Sequence, residues 1–200
     1  MSVVAVPASV VCRRALGWCR SGLLALLVSW PFALAEAGTV RVSVEREVQT
    51  LQVNATLSAL APLDQCYAVL TDFDHLADFI PGMRSSAVVS EPGESLRVRQ
   101  LSRAGFGLLG VTVDTTLGLT LSPPQGGSSA RIDFGQFGGN LRRMQGHWLL
   151  TETGEGCRID YQAEIEPEFV VPVFGGFLAR RQIEGQLRAV VVEIERRNAR

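Results

Sequence analysis

The sequence predicts an α+β domain: a curled antiparallel sheet of about seven strands around one long C-terminal helix, with two short helices after the first strand. Three observations carry this prediction. Between Ser85 and Pro167, apolar and polar residues alternate with period two, broken only by turn-forming clusters. From Val173 to Arg197 the apolar residues recur at helical spacing instead. Between the first extended stretch and the alternating region lie two short segments with helix-start and helix-stop residues.

The chain opens with a segment that we exclude from this domain, residues 1–35. Arg13, Arg14 and Arg20 precede the uncharged run Gly22–Ala35, and Ala33-Leu-Ala35 supplies a small-x-small site. An apolar core of about a dozen residues suits a cleaved signal peptide and is short for a membrane span. An uncleaved anchor is the alternative. The predicted domain is therefore residues 36–200, in a periplasmic or secreted protein.

Arg41–Leu57 reads as extended, with a phase change near Arg46–Gln49 that suggests a bulge or a switch of face. Pro62 opens the first short helix, Pro62–Leu70, with Asp64 in its first turn. Asp72 is placed to cap the second, Phe73–Phe79, which Ile80-Pro-Gly82 ends. Strands follow at Ser85–Ser90, Ser95–Arg103, Val111–Leu121, Ala130–Gln136, Leu141–Glu152 and Cys157–Pro167. The last is the clearest. Cys157, Ile159, Tyr161, Ala163 and Ile165 point one way, and Arg158, Asp160, Gln162, Glu164 and Glu166 the other. Such a sheet is wet on one side and covered on the other. The cover is the helix Val173–Arg197, about 37 Å long at 1.5 Å per residue.

Composition excludes several functions. All 20 acidic residues but only 16 of the 19 basic ones fall in 36–200, a net charge of 16 − 20 = −4, which does not attract nucleic acid. Every basic residue is arginine, so no Schiff-base or phosphate-loop lysine exists. His75 and His147 are the two histidines, too few for the converging ligands of a typical metal centre. We assign no metal, no cofactor and no catalytic residue. His147 alternates against Trp148 and so faces the wet side. Cys66 and Cys157 remain after the leader, either paired in an oxidising compartment or buried separately.

One helix does not fill the concave side of a strongly curled sheet. The inner positions include small or polar residues, among them Ser102, Thr115, Gly146 and Ala163. Three more, Gln100, Gln136 and Arg142, would cost about 1–3 kcal/mol each if buried unpaired. Polar groups scattered over an apolar concave face suit a ligand cavity. The candidate lining is Gln100, Arg142, Phe134, Trp148 and Tyr161, with Phe79, Phe106, Phe174 and Phe177 ringing the mouth. Gly105–Gly110 reads as a flexible connection or lid.

The run Ala68-Val-Leu-Thr-Asp-Phe-Asp-His-Leu-Ala-Asp-Phe-Ile-Pro-Gly-Met-Arg-Ser-Ser86 resembles the coenzyme-Q-binding START-type domains. These form part of the polyketide cyclase/dehydrase branch of the START-like (helix-grip) superfamily. Gly139-Asn-Leu-Arg-Arg-Met-Gln-Gly-His-Trp-Leu-Leu150 and the closing helix are similar to the same family. The resemblance implies a helix-grip fold with a hydrophobic tunnel holding a lipid, an isoprenoid quinone or an aromatic polyketide. It is compatible with transient membrane contact. The expected function is binding or transport of a hydrophobic small molecule, a lipid or quinone-like compound, in an internal cavity outside the cytoplasm. Two alternatives stay open: a cyclase- or hydrolase-type enzyme using the same cavity, and an interaction module with a filled core.

Overall fold

The computed structural model describes residues 38–104, 110–168 and 175–200. The leader, Phe106 and Phe174 lie outside the described residues, as does most of the Gly105–Gly110 segment.

The first extended stretch is two strands, not one. β1 (Val40–Glu47) and β2 (Thr50–Ala59) form a hairpin in which Glu47 pairs with Thr50. The phase change at Arg46–Gln49 is therefore a chain reversal, correcting the expected bulge. The turn holds Val48 at φ 55°, a left-handed conformation that a β-branched residue rarely adopts. Because no Gly, Asn, Asp or Pro stands at 47–50, the turn left no chemical signature in the sequence.

Next come α1 (Leu63–Leu70), a 3-10 turn (Phe73–His75) and α2 (Leu76–Phe79). Six strands follow: β3 (Met83–Val88), β4 (Arg97–Ala104), β5 (Val111–Ser122), β6 (Ser129–Gly139), β7 (Leu141–Thr153) and β8 (Gly156–Pro167). The chain closes with α3 (Gly175–Asn198). All eight strands form one open antiparallel sheet in the order β1-β2-β8-β7-β6-β5-β4-β3. The helices α1 and α2 thus join strands near opposite edges of the sheet. This is the helix-grip arrangement, with one strand more than the sequence suggested.

The strand phases set the two faces. On the inner face, Ala55, Tyr161, Trp148 and Ile132 line up across β2, β8, β7 and β6, and Leu57, Ile159, Leu150 and Ala130 form the next row. On the outer face, Arg158 binds Asp160, Arg131 binds Asp133, and Arg143 binds Glu164.

Leu187, Val190, Val191 and Ile194 of α3 are buried against this inner face with Val42, Leu57 and Val69. Polar straps fix the helix at both ends. Glu195 accepts from the Gly38 N–H at 3.0 Å and the Asn198 amide donates to Leu60 O at 3.0 Å. Further up, Gln182 donates to Arg103 O and Gln186 to Pro81 O. Among the described residues no helix is long and apolar enough to cross a membrane.

Asp72 does not cap the second helical segment: its side chain makes no capping bond. It accepts instead from His75 Nδ1 at 2.6 Å and from Arg197 of α3 at 2.7 Å. The nearby charges on α3 outcompete the backbone N–H groups, since charge-assisted bonds are the stronger kind.

Candidate functional site

The two ends of the inner face differ. At one end, Ala59, Cys157, Leu150 and Ala130 are fully buried beneath α1 and the C-terminal half of α3. Toward the other, Met144, Ile165 and Ile183 are only half-buried beside buried Leu51, Leu117 and Leu141, and Leu119 and Trp148 are half-buried between the two ends.

Three aromatic rings sit where the two ends meet. Phe134 stacks on Tyr161 with centroids 6.0 Å apart, and Trp148 tilts over Tyr161 at 4.2 Å. Gly146 lets the strands come this close. A Cβ there would fall 2.7 Å from the Phe134 ring and against Gln162 O of the neighbouring strand. Tyr161 is only 8% exposed, and burial pushes its phenol above the ordinary range, which favours the protonated form at neutral pH.

A polar row crosses the sheet beside the rings. Ser86, Gln100 and Thr115 are cross-strand neighbours on β3, β4 and β5. A register shift between Thr116 and Leu117 then brings in Gln136 of β6, opposite Leu117. Asn140 pins that bulge. Its Oδ1 accepts from the Asp114 N–H and its Nδ2 donates to Thr112 O, at 2.9 and 2.8 Å. The Gln136 amide donates to Leu141 O at 2.7 Å, but its Oε1 is buried and meets no partner among the described residues. Ser86 is 6% exposed and its Oγ is likewise buried without a partner. Two orphaned oxygens on one inner face each cost about 1–3 kcal/mol unless something absent from the free protein meets them.

The remaining predicted residues are dispersed. Phe79 is half-buried, packs against both the main core and a small cluster of Phe73, Leu76 and Val98, and carries the Arg197 guanidinium over its ring at 5.9 Å. Phe177 is 62% exposed, with Arg181 near its ring. Arg142 is not on the inner face, as alternation suggested. A register shift between Leu141 and Arg143 turns it to the rim, where it reaches Gln49 and Glu166. Sequence reasoning missed Ser86. The adjacent Ser85 and Ser86 give no apolar–polar contrast from which to read a face.

Two of the hollows among the described residues bear on the site. The larger, about 460 Å3, lies on the outer face, where Gly118 and Gly135 adjoin without side chains and Asn54, Gln145, His147 and Gln162 form the walls. Its polar lining differs from the apolar space expected under α3. The smaller, about 380 Å3, sits at the β6–β7 hairpin end and joins Gln136, Met144 and Arg142. Among the described residues no cluster of His, Cys, Asp and Glu could hold a metal ion. The half-buried inner-face positions named above carry neither a carboxylate nor an imidazole.

No curated protein matches the chain. Among solved structures, it is similar to a fragment of a STAR-related lipid transfer protein from Xanthomonas axonopodis, at TM-score 0.62 and 16% identity over 80% of this chain and 94% of that one. It is also similar to the Zhui aromatase/cyclase from Streptomyces sp. R1128, at 0.54 and 21% over 74% and 95%. Human STARD10 aligns at 0.55 and 15% over 82% and 74%. These likenesses show the fold. Residues 60–191 match the family described as polyketide cyclase / dehydrase and lipid transport. That match covers well over half the chain, and the protein therefore belongs to the polyketide cyclase/dehydrase and lipid transport family.

Proposed function

We propose that the chain binds a mainly apolar small molecule, a lipid or an isoprenoid-quinone-like compound, against the half-buried end of the inner face. The carrying observation is the pair of orphaned oxygens, Ser86 Oγ and Gln136 Oε1, beside incompletely covered apolar side chains. A ligand hydroxyl or N–H meeting either oxygen removes a penalty that the free protein bears. Apolar contact with Leu119, Met144, Trp148 and Ile165 supplies affinity at about 25 cal/mol per Å2 buried. The family's description, which includes lipid transport, and the lipid-transfer protein among the similar structures support the same reading. Binding is favoured over acid–base catalysis because the named wall residues offer amides, hydroxyls and rings but no group ready to exchange protons near neutral pH.

The N-terminal segment supports a second part of this proposal, that the protein works outside the cytoplasm after cleavage behind Ala35. Sequencing the N-terminus of protein from cell envelopes tests it, with Glu36 expected as the first residue. An N-terminus within residues 1–20 would refute cleavage. For the ligand, native mass spectrometry of the purified protein should show a lipid-sized adduct. Met144→Arg should abolish the adduct while circular dichroism stays unchanged. Retention of the adduct by a folded Met144→Arg variant would remove the inner face as the site.

A further inference from the structure

The structure brings Cys66 and Cys157 together, which the sequence left open. Cys66 lies in α1, held by the bond from its N–H to Pro62 O at 3.1 Å. Its Sγ approaches Ala61 O at 3.8 Å and is wholly buried. Cys157 is the second residue of β8, opposite Ala59 of β2 and 1% exposed. A Cβ on the preceding Gly156 would meet Ala59 O and lie 3.1 Å from Ala61 N. Cys157 Sγ lies 3.6 Å from Arg158 O, and its backbone pairs beside the same short bend, Ala59–Ala61, that Cys66 Sγ contacts. The helix α1 packs on β8, and both cysteines are buried in the same core cluster. Among the described residues no third ligand makes this pair a metal site.

We propose that Cys66 and Cys157 are a disulfide-forming pair that joins α1 to β8 when the protein meets a disulfide oxidant. The oxidant is a small-molecule or protein disulfide. One cysteine thiolate attacks it, forming a mixed disulfide and releasing one oxidant thiol. The second cysteine, deprotonated, attacks the mixed disulfide and releases the other. Two electrons and two protons pass from the cysteines to the oxidant, and one sulfur–sulfur bond joins the protein. Cys157 is the better first nucleophile, since the neighbouring Cys66 thiol favours its thiolate, whereas the proximity of Cys157 and burial push Cys66 up. Because both sulfurs are buried, exchange takes place before α1 docks or when it lifts. The closed loop encloses β3 to β7, and a cross-link over so long a loop restricts the unfolded chain strongly. It fixes the fully buried end of the sheet and leaves the half-buried end unconstrained.

The test uses the purified full-length protein, reduced and then equilibrated in glutathione buffers of graded potential. Free thiols are trapped by alkylation in denaturant, and peptide mapping separates Cys66 and Cys157 from Cys12 and Cys19. The Cys66 and Cys157 peptides should lose the label together and reappear as one cross-linked species that reduction splits. The oxidised protein should unfold at a higher denaturant concentration than the reduced one, and Cys157→Ala should abolish that difference. Persistent labelling of both cysteines in the most oxidising buffer would overturn the proposal, as would separate glutathione adducts. A redox-dependent midpoint surviving in Cys157→Ala would do the same. None of these readouts involves the apolar ligand or the protein's location.

Discussion

Arg197, in the last turn of α3, donates to the Asp72 carboxylate at 2.7 Å across 125 positions of sequence. The same guanidinium also donates to Glu193, and Arg196 binds Glu193 from the other side. The cluster latches the end of the long helix onto the turn before the 3-10 segment.

The latch makes stability pH-dependent in acid. The His75 hydrogen bond, and after it the Arg197 bond, holds Asp72 below its usual range, while Arg196 and then Arg197 bring Glu193 down to about 2. A depressed carboxyl contributes stability that is complete above its unfolded-state pKa and lost as pH falls through the folded one. The midpoint of urea unfolding should thus fall between about pH 4.5 and pH 2, by more than in Asp72→Asn. At neutral pH, Asp72→Asn should cost about 1 kcal/mol, since the pair is partly solvated. Identical acid profiles for the two proteins would exclude the latch.

His75 titrates in the opposite sense. Asp72 raises its pKa, so its contribution is complete below the ordinary imidazole range and fades as pH rises through the raised value. NMR titration of His75 should show that upward displacement, and Asp72→Asn should remove most of it.

Replacing Val48 by glycine should stabilise the protein. Val48 is 88% exposed and has a positive φ, so it contributes little packing and bears left-handed strain of about 1–2 kcal/mol. Glycine removes the strain but adds freedom to the unfolded chain, about 0.5–1 kcal/mol. The expected net gain, about 0.5–1 kcal/mol, is measurable by urea denaturation. A loss would show that the turn needs the valine side chain.

Ser86→Ala separates stability from binding. It deletes a buried hydroxyl without a partner, so the free protein should gain about 1 kcal/mol. If a ligand group meets that hydroxyl, affinity should fall about tenfold, for one hydrogen bond lost. Calorimetric unfolding of ligand-free protein, beside titration with the extracted lipid, measures both.

Gly139→Ala should be the most damaging single methyl. Gly139 has φ 123°, and an added Cβ would clash with Asp114 O and with the Thr115 Cα at 2.8 Å. The β5–β6 register would have to slip, costing about 3 kcal/mol or more. Loss of protection at the Asn140 and Asp114 amides in hydrogen exchange would locate the damage.

Particular residues show what the sequence could and could not disclose. Cys157 to Ile165 alternated cleanly because β8 is central, with one dry and one wet face, so burial wrote its period directly into residue type. Leu187, Val190, Val191 and Ile194 did the same for α3. The β1–β2 reversal stayed hidden because it rests on a strained valine. Arg142 was misread because register shifts break the parity on which alternation depends. The meeting of Cys66 with Cys157, and of Asp72 with Arg197, is a product of tertiary structure. Each partner obeys local rules that are silent about the other.

The strand order has a consequence for how the molecule is made. β2, formed by residues 50–59, finds its second neighbour only in β8, at 156–167, and the inner face is roofed by a helix from the final residues of the chain. During synthesis the early hairpin therefore waits with one edge bare until residues 156–167 have emerged. Assembly is dominated by contacts between distant parts of the polypeptide, which makes it slow relative to a helical bundle of equal size, and the domain stays open until β8 and α3 are made.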